Sequence, residues 1–346
     1  MENRLAETLK IVIPMAGWGT RMRPHTWSKP KPLISVAGKT TLEHLMDMFK
    51  TLPDAINVEY VFIVGVYLGE MQIPEFVANK YPELKAHYIV QTEMKGQSHA
   101  LYLAREHLHG PVITAWSDTL LETDFSFLAS ESGDGVIWVQ PVPDPRRFGV
   151  AEVGKEGWIT RLIEKQNDMT KNLAVVGCYY FKSGEAVLKA IENQMERNIT
   201  LKNEYFLADA VNIMIEGGAK IHTNFSGVWL DTGTFDTILK TNHYLLEHGQ
   251  SFSPQQIASD VHIVPPVFIH PSARISDSVI GPSVSIGPDC NIRASHIEDS
   301  IIEAGTQINR SALSHSIIGC NCIVEGLSDK GQASSLNIGD NSGIRC

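Results

Sequence analysis

The sequence predicts an α/β fold: a mixed, mainly parallel sheet flanked by helices, followed by a short parallel β-helix. Three observations predict it. Short β-branched runs alternate with helical segments through the first half of the chain. Long helical patterns stop near residue 250. Beyond that point aliphatic residues recur every five or six positions. The 346 residues divide into about two domains at roughly 150 residues each.

The elements follow in order. Lys10–Met15 is an apolar strand that runs into a glycine turn. Thr40–Lys50 reads as a helix, opened by a Thr40-x-x-Glu43 capping box in which hydroxyl and carboxylate each satisfy an orphan N–H. Val58–Val64 is a buried strand, Gly69–Asn79 a weak helix, Ala86–Val90 a strand, Gln97–His107 a helix and Pro111–Trp116 a strand. Strands buried on both faces and alternating with helices argue for a parallel sheet. Gly135–Val139, Gly149–Val153, Trp158–Glu164 and Ala174–Phe181 are strands with few helices between them. They are expected to extend the sheet and build an inserted lobe. Helices are expected at Gly184–Arg197, Glu204–Glu216 and Phe235–His248.

Ser251–Asp260 is polar and reads as a linker. The division expected is 1–250, a linker at 251–262, and 263–346. In the last part Ile280, Ile286, Ile292, Ile297, Ile302, Ile308, Leu313 and Ile318 are spaced by five or six, as in a hexapeptide repeat. Small partners sit four positions on, at Val284, Cys290, Thr306, Ala312 and Cys322. Each hexapeptide supplies one short strand and a turn, with the aliphatic pointing into a narrow interior. Val267–Gly326 has room for about three coils. In the Ser/Gly/Asn-rich tail only Ile338-Gly339 hints at a further turn.

Composition narrows the function. Hydrophobic residues are 43% and charged residues 20%, which excludes a disordered or fibrous chain. Lys and Arg number 29 against 39 Asp and Glu, a net −10, so a nucleic-acid partner is not expected. The longest apolar stretch, Tyr60–Leu68, is about half a membrane helix, so no membrane partner is expected. Met1–Arg4 has no apolar signal core behind it. The five cysteines are odd in number and lack CxxC spacing, as expected of free thiols in a cytoplasmic protein.

The chemistry concentrates after the first strand. Ala16-Gly17-Trp18-Gly19-Thr20-Arg21 offers consecutive N–H groups in a glycine turn, an anion-binding arrangement. Met22 stands where a dinucleotide fingerprint needs its third glycine, and Leu33 where a P-loop at Gly38-Lys39-Thr40 needs its first. Arg21, Arg23, Lys29 and Lys31 follow closely. Four cations beside such a turn would hold a polyphosphate and stabilise charge on a departing oxygen.

Ala16-Gly17-x-Gly19-Thr20-Arg21-x-x-Pro24, followed by Pro30-Lys31-Pro32-Leu33, resembles the signature of sugar-1-phosphate nucleotidylyltransferases. Further segments follow in the family's order: Gln91 with Gly96-Gln97-x-x-Ala100, Ser117-Asp118, Phe148-Gly149-Val150, and Glu164-Lys165 with Gln166 in place of proline. Asn172-Leu173-Ala174-x-x-Gly177-x-Tyr179-x-Phe181 and Trp229-Leu230-Asp231-Thr232-Gly233-Thr234 complete it. The last motif is similar to that of glucose-1-phosphate thymidylyltransferases. The A-G-x-G-T-R loop is similar to that of UDP-glucose pyrophosphorylase, and His99 to N-acetylglucosamine-1-phosphate uridylyltransferases. The resemblance covers about Lys10–His248. It implies a Rossmann-like catalytic domain and a left-handed β-helical tail.

It also implies roles. An NTP (dTTP first, then UTP) and a sugar 1-phosphate (glucose 1-phosphate first) would give a nucleotide-sugar and pyrophosphate. Asp118 and Asp231 would hold Mg²⁺. Arg21 would hold the β- and γ-phosphates, Lys31 would steady the α-phosphate, and Lys165 would meet the sugar phosphate. Ala16, Gly17, Gly19, Thr20, Gln91 and Gly96 would bind the nucleotide. Gly149, Glu164, Asn172 and Val176 would bind the sugar. Plainer roles stay open: Asp118 capping a turn, Asp231 capping the helix near Thr234, Gln91 as a strand-end amide, Glu164 and Lys165 as surface charges. Glu204 and Asp209 read as structural supports. Two other classes remain. A hexapeptide acyltransferase would use His270, His296 or His315; a non-catalytic regulator would bind ligand without turnover. The β-helix is expected to assemble the chain into a homo-oligomer.

Overall fold

The computed structural model describes residues 8–165, 168–254, 258–327 and 332–346. Met1–Arg4, Gln166, part of the expected linker (255–257) and the first residues of the tail (328–331) lie outside the described residues. The chain forms two compact units: Met1–Gly17 with Leu45–Trp229, and Trp18–His44 with Leu230–Cys346. These units are drawn differently from the expected division at residue 250. The reason is apolar packing: Met22, Ile34 and Val36 share a buried cluster with Ile238, Leu239, Ile301 and Ile317.

In the first unit, Leu9–Met15 pairs in parallel with Val58–Gly65 on one side and Val112–Ala115 on the other. Val58–Gly65 pairs in parallel with Ala86–Gln91. Leu9–Ile13 is buried throughout, so this strand is the sheet's apolar spine. Leu173–Phe181 then runs antiparallel to Val112–Ala115. It also pairs with Gly135–Pro141 and Gly149–Val153, and Ile159–Glu164 pairs beyond the latter. Ile221–Phe225, which the sequence pattern did not reveal, pairs in parallel with Gly135–Pro141. The middle strands thus extend one sheet, of nine strands among the described residues. Helices Gly184–Glu196 and Leu207–Glu216 bury Val187, Ile191, Leu207 and Val211 in the same core as Val12, Val61 and Phe181.

Several helices are shorter than periodicity suggests, among them the expected Thr40–Lys50 and Phe235–His248, which form as Thr41–Met48 and Phe235–Leu245. Gln97–Leu103 gives way to a tighter turn at Arg105–His107. The helix expected from Glu204 starts at Leu207, because Glu204 bridges Leu201 and the Tyr205 N–H is committed to the Lys95 carbonyl at 2.8 Å.

In the second unit the capping box forms as expected. The Thr40 N–H donates to Glu43 Oε2 at 2.8 Å and the Glu43 N–H donates to Thr40 Oγ1 at 3.2 Å. The helix it opens is Thr41–Met48. Helix Phe235–Leu245 is capped by Thr234, whose Oγ1 accepts from the Thr237 N–H at 3.3 Å.

Among the described residues the tail is a β-helix of three parallel sheets with four, five and five strands. All eight aliphatic anchors share one buried cluster with Val284, Cys290 and Cys322. Thr306 is buried as well, while Ala312 is half-buried. Aliphatics stack in columns: Ile269, Ile286, Ile302, Ile318 and Ile338 form one, and Ile275, Ile292, Ile308, Val324 and Ile344 another. The stack begins at His262–Ile263 and reaches Gly343–Arg345, longer than the three coils expected of Val267–Gly326. The hint at Ile338-Gly339 was a true coil. All five cysteines are free.

Ile302→Ala opens a cavity in a closely packed column. It should cost about 2–5 kcal/mol. The urea midpoint of the transition that reports the β-helix checks this; a loss well under about 1 kcal/mol would contradict the packing.

Candidate active site

The strand Leu9–Met15 delivers Ala16, which is buried, and Gly17, which is exposed. A side chain on Gly17 would meet nothing within 4 Å, so the backbone there is open to a ligand.

In the second unit Gly19 turns the chain at φ 58°. Its carbonyl accepts the Met22 N–H at 2.8 Å and the Thr26 hydroxyl at 2.9 Å. The resulting turn, Thr20–Met22, buries Met22 and leaves Thr20 and Arg21 exposed. Lys31 opens a second short turn, Lys31–Leu33, with its Cβ 3.3 Å from where a Gly19 side chain would start.

Arg21 reaches Gly233. A Cβ at Gly233 would lie 3.2 Å from Arg21 Nη2 and 2.7 Å from Asp231 Oδ1. The missing side chain leaves that place open to both the guanidinium and the carboxylate. The Gly233 N–H donates to Asp231 Oδ1 at 2.6 Å, and Thr241 Oγ1 donates to the Asp231 carbonyl at 3.0 Å. Asp231 is therefore held by its own turn and does not cap the following helix, which uses Thr234.

One of the four expected phosphate cations is spent elsewhere. Lys29 is ion-paired with Glu303 and with Asp340 of the β-helix, the latter at 3.3 Å. Burial, the largest single effect, pulls its pKa down, but the carboxylates together outweigh it and hold the ammonium charged well above the usual lysine range. Sequence proximity suggested a polyphosphate ligand; burial between two acids makes it a structural cation. The same ammonium lies 3.4 Å from Cys320 Sγ. Glu303, Cys320 and Asp340 converge closely enough to hold a metal ion, but Lys29 already supplies the positive charge there.

In the first unit, Gly149 and Glu164 pair across adjacent strands. A Cβ on Gly149 would lie 2.8 Å from Glu164 Oε2, so the glycine makes room for the carboxylate. Burial raises the Glu164 carboxyl above the ordinary glutamate range; Lys165 opposes this, while Asp209 and Glu204 add to it. Burial likewise raises Asp209, with Arg161 opposing. Lys165 is exposed, takes φ 50° and sets its ammonium 4.5 Å from the Phe206 ring centroid. A left-handed lysine is costly backbone, of the kind that persists at functional sites. Phe206 was missed from the sequence; an aromatic just before helix Leu207–Glu216 was the available signal. Asn172 is exposed and Val176 buried, where the pairing of Leu173–Phe181 shifts register between Val175 and Tyr179.

Gln91 is buried at its strand's end and donates through Nε2 to the Glu93 carbonyl at 3.1 Å. Gly96 takes φ 99°, and a side chain would lie 2.5 Å from the Tyr205 nitrogen. Packing against Tyr205 is thus sufficient reason for that glycine. His99 Nδ1 is buried without a hydrogen-bond partner, and burial lowers its pKa. Asp118 is half-buried in the turn after strand Val112–Ala115, where the Thr119 N–H donates to the Trp116 carbonyl at 3.1 Å.

Asp118 and Asp231 offer hard carboxylate oxygens, and the Gly233 N–H already orients one of them. Magnesium takes one or two carboxylates and keeps waters or phosphate oxygens as its other ligands, so both residues fit it. Two of the three histidines considered for acyl transfer are tied to neighbouring groups. His315 gives both ring nitrogens to carboxylates, Nδ1 to Asp299 at 2.8 Å and Nε2 to Asp236 at 3.2 Å. His270 Nδ1 accepts the Ser272 N–H at 3.2 Å. No helix among the described residues is long and apolar enough to cross a membrane.

Comparison with known proteins gives the following. The Nucleotidyl transferase family matches residues 10–248, and the GMPPB C-terminal domain matches residues 263–330. The "Bifunctional protein GlmU" of Methanococcus vannielii is 31% identical over 364 residues, covering 95% of this chain and 84% of that protein. A "Glucose-1-phosphate thymidylyltransferase" of Streptomyces griseus is 28% identical, covering 96% of this chain and 98% of its own. A solved nucleoside-diphosphate-sugar pyrophosphorylase from Vibrio cholerae superposes with TM-score 0.59 at 21% identity, over 67% of this chain and 99% of its own. At that identity the likeness concerns the fold.

Because the carboxyl of Glu164 is raised, its ionised form destabilises the folded chain. The associated stability is present at low pH and is lost as pH rises through the raised value. Glu164→Gln cannot ionise. It should melt above the wild type near about pH 7.5, and the gap should close below about pH 4.5, the ordinary glutamate range. Melting curves at both pH values check this; a gap independent of pH would contradict it.

Proposed function

This chain belongs to the nucleotidyl transferase family, and on that premise we propose that it joins dTTP and glucose 1-phosphate into a nucleotide-sugar, releasing pyrophosphate. It is a nucleotidyltransferase of the sugar-phosphate type. The observation that most supports the reading is that Arg21 Nη2 and Asp231 Oδ1 both approach the side-chain position left empty at Gly233, in the unit that carries the left-handed Gly19 turn.

An oxygen of the sugar phosphate forms the new bond to the α-phosphorus. The bond from the α-phosphorus to the bridging oxygen breaks, and pyrophosphate leaves with that electron pair. A phosphate oxygen is already nucleophilic, so the site needs no general base. Its task is to bring two anions together and neutralise them. Arg21 and Lys31 supply fixed positive charge to the triphosphate; the backbone at Gly17 leaves room for it, and Gly19 supplies the left-handed turn that carries Thr20 and Arg21. Thr20, Gln91 and Gly96 complete the proposed nucleotide contacts. Lys165, drawn toward Phe206, meets the sugar phosphate. Glu164 accepts from sugar hydroxyls, with Gly149, Asn172 and Val176 beside it. Magnesium, held by Asp118 and Asp231, would neutralise phosphate charge.

A second pair, UTP with an N-acetylhexosamine 1-phosphate, is favoured by the similarity to GlmU proteins and by His99, whose Nδ1 has no hydrogen-bond partner. We also propose self-association through the β-helix, whose last strand Gly343–Arg345 offers an edge to a second copy.

Pyrophosphate release over a grid of NTPs and sugar 1-phosphates tests the reading. Dominant, EDTA-sensitive release with dTTP and glucose 1-phosphate is expected. Dominance of UTP with N-acetylglucosamine 1-phosphate selects the second pair, and silence of the folded protein in every cell overturns both. Asp118→Asn and Asp231→Asn should each abolish release while circular dichroism stays unchanged. A variant that keeps most of the wild-type rate would remove that residue from the metal site.

A further inference from the structure

We propose that the β-helix positions the nucleotide loop: Lys29, Glu303 and Asp340 are positioning residues that fix where Arg21 and Lys31 stand. The proposal rests on the nucleotide-binding role given above to that loop. It adds a part for the tail that self-association does not require.

The contacts are polar, buried and concentrated. Side-chain exposure is 11% for Lys29, 1% for Glu303 and 12% for Asp340. Around this pairing the loop and the coil corners exchange directional bonds. Ser28 Oγ donates to Asp340 Oδ2 at 2.7 Å, and the Ser35 N–H donates to Glu303 Oε1 at 3.0 Å. His25 Nε2 lies 2.7 Å from Asn337 Oδ1. A side chain on Gly339 would lie 3.1 Å from Pro24, so the coil approaches the loop backbone closely there. The Cys320 N–H donates to Asp340 Oδ1 at 2.8 Å, which fixes the carboxylate from the coil side.

These contacts are not what makes the segment adhere. Apolar packing of Met22, Ile34 and Val36 against Ile238, Leu239, Ile301 and Ile317 does that. Hydrophobic contact is non-directional. An ammonium placed between two buried carboxylates is directional, and breaking it leaves an uncompensated charge. The polar cluster therefore sets the register of the loop on a surface to which it would stick anyway. Lys29 is two residues from Lys31, so a shift of its ammonium moves the phosphate-facing lysine with it. A misplacement of about 1 Å can cost on the order of 10²-fold in rate.

The test compares the wild type with Lys29→Met and with the triple variant Lys29→Met/Glu303→Gln/Asp340→Asn. The triple variant removes the charges together and so leaves no buried charge unpaired. The readouts are melting temperature and the KM values for NTP and for sugar phosphate, taken separately. The expected result is a rise on the order of 10-fold or more in KM for NTP in both variants. KM for the sugar phosphate should stay within about twofold, and the triple variant should melt near the wild type. Lys29→Arg should recover part of the loss. If NTP KM in the triple variant stays within about twofold of wild type, or both KM values rise together, the proposal is overturned. Quenching of the exposed Trp18 and Trp27 by added dTTP or UTP reads loop binding without turnover. Should the wild type bind NTP but release no pyrophosphate with any sugar phosphate, the functional reading fails, while the quenching titration of the variants still decides this one.

Discussion

A buried ammonium holds the second unit in register. Lys29 sits against Glu303 and Asp340, one cation between two acids, in surroundings where an unpaired charge would be costly. Ser28, Ser35 and the Cys320 N–H then bond to the same carboxylates. The segment Trp18–His44, which apolar packing already groups with the β-helix, lies in sequence between the first two long strands of the sheet. The turn bearing Arg21 and the turn bearing Lys31 lie within that segment.

Absent side chains do much of the remaining positioning. Gly19 supplies a left-handed turn, Gly233 leaves a place open to both Arg21 and Asp231, and Gly149 makes room for Glu164. Nucleotidyl transfer between two anions demands this kind of site. Little covalent chemistry falls to the protein, and the barrier is lowered by holding charges in place before the reactants arrive. The strained backbone of Lys165 and the desolvated Glu164 belong to the same economy, in which stability is given up for geometry.

Local and periodic features were legible in the sequence. The Thr40–Glu43 capping box, the alternation of strands and helices, and the eight interior aliphatics of the β-helix all depend on near neighbours or fixed spacing. Features that depend on distant partners were not. Lys29 looked like a phosphate ligand because its acids lie 274 and more residues away. The packing of Gly96 against Tyr205 was not legible either, because nothing nearby in sequence discloses Tyr205. The last coil was understated because the Ser/Gly/Asn-rich tail sets Ile338 twenty residues after Ile318, which breaks the five-to-six spacing before Ile344 resumes it. Strand Ile221–Phe225 escaped because it is short and only its first residue is buried.

Tracing the α-phosphorus tests nucleotidyl transfer most directly. With dTTP radiolabelled at that atom, glucose 1-phosphate and magnesium, transfer predicts label in a nucleotide-sugar, with one pyrophosphate formed for each. With UTP and N-acetylglucosamine 1-phosphate, the same outcome identifies the second pair. Label that stays in the triphosphate, or leaves it only as a free mono- or diphosphate with either pair, would contradict transfer to a sugar.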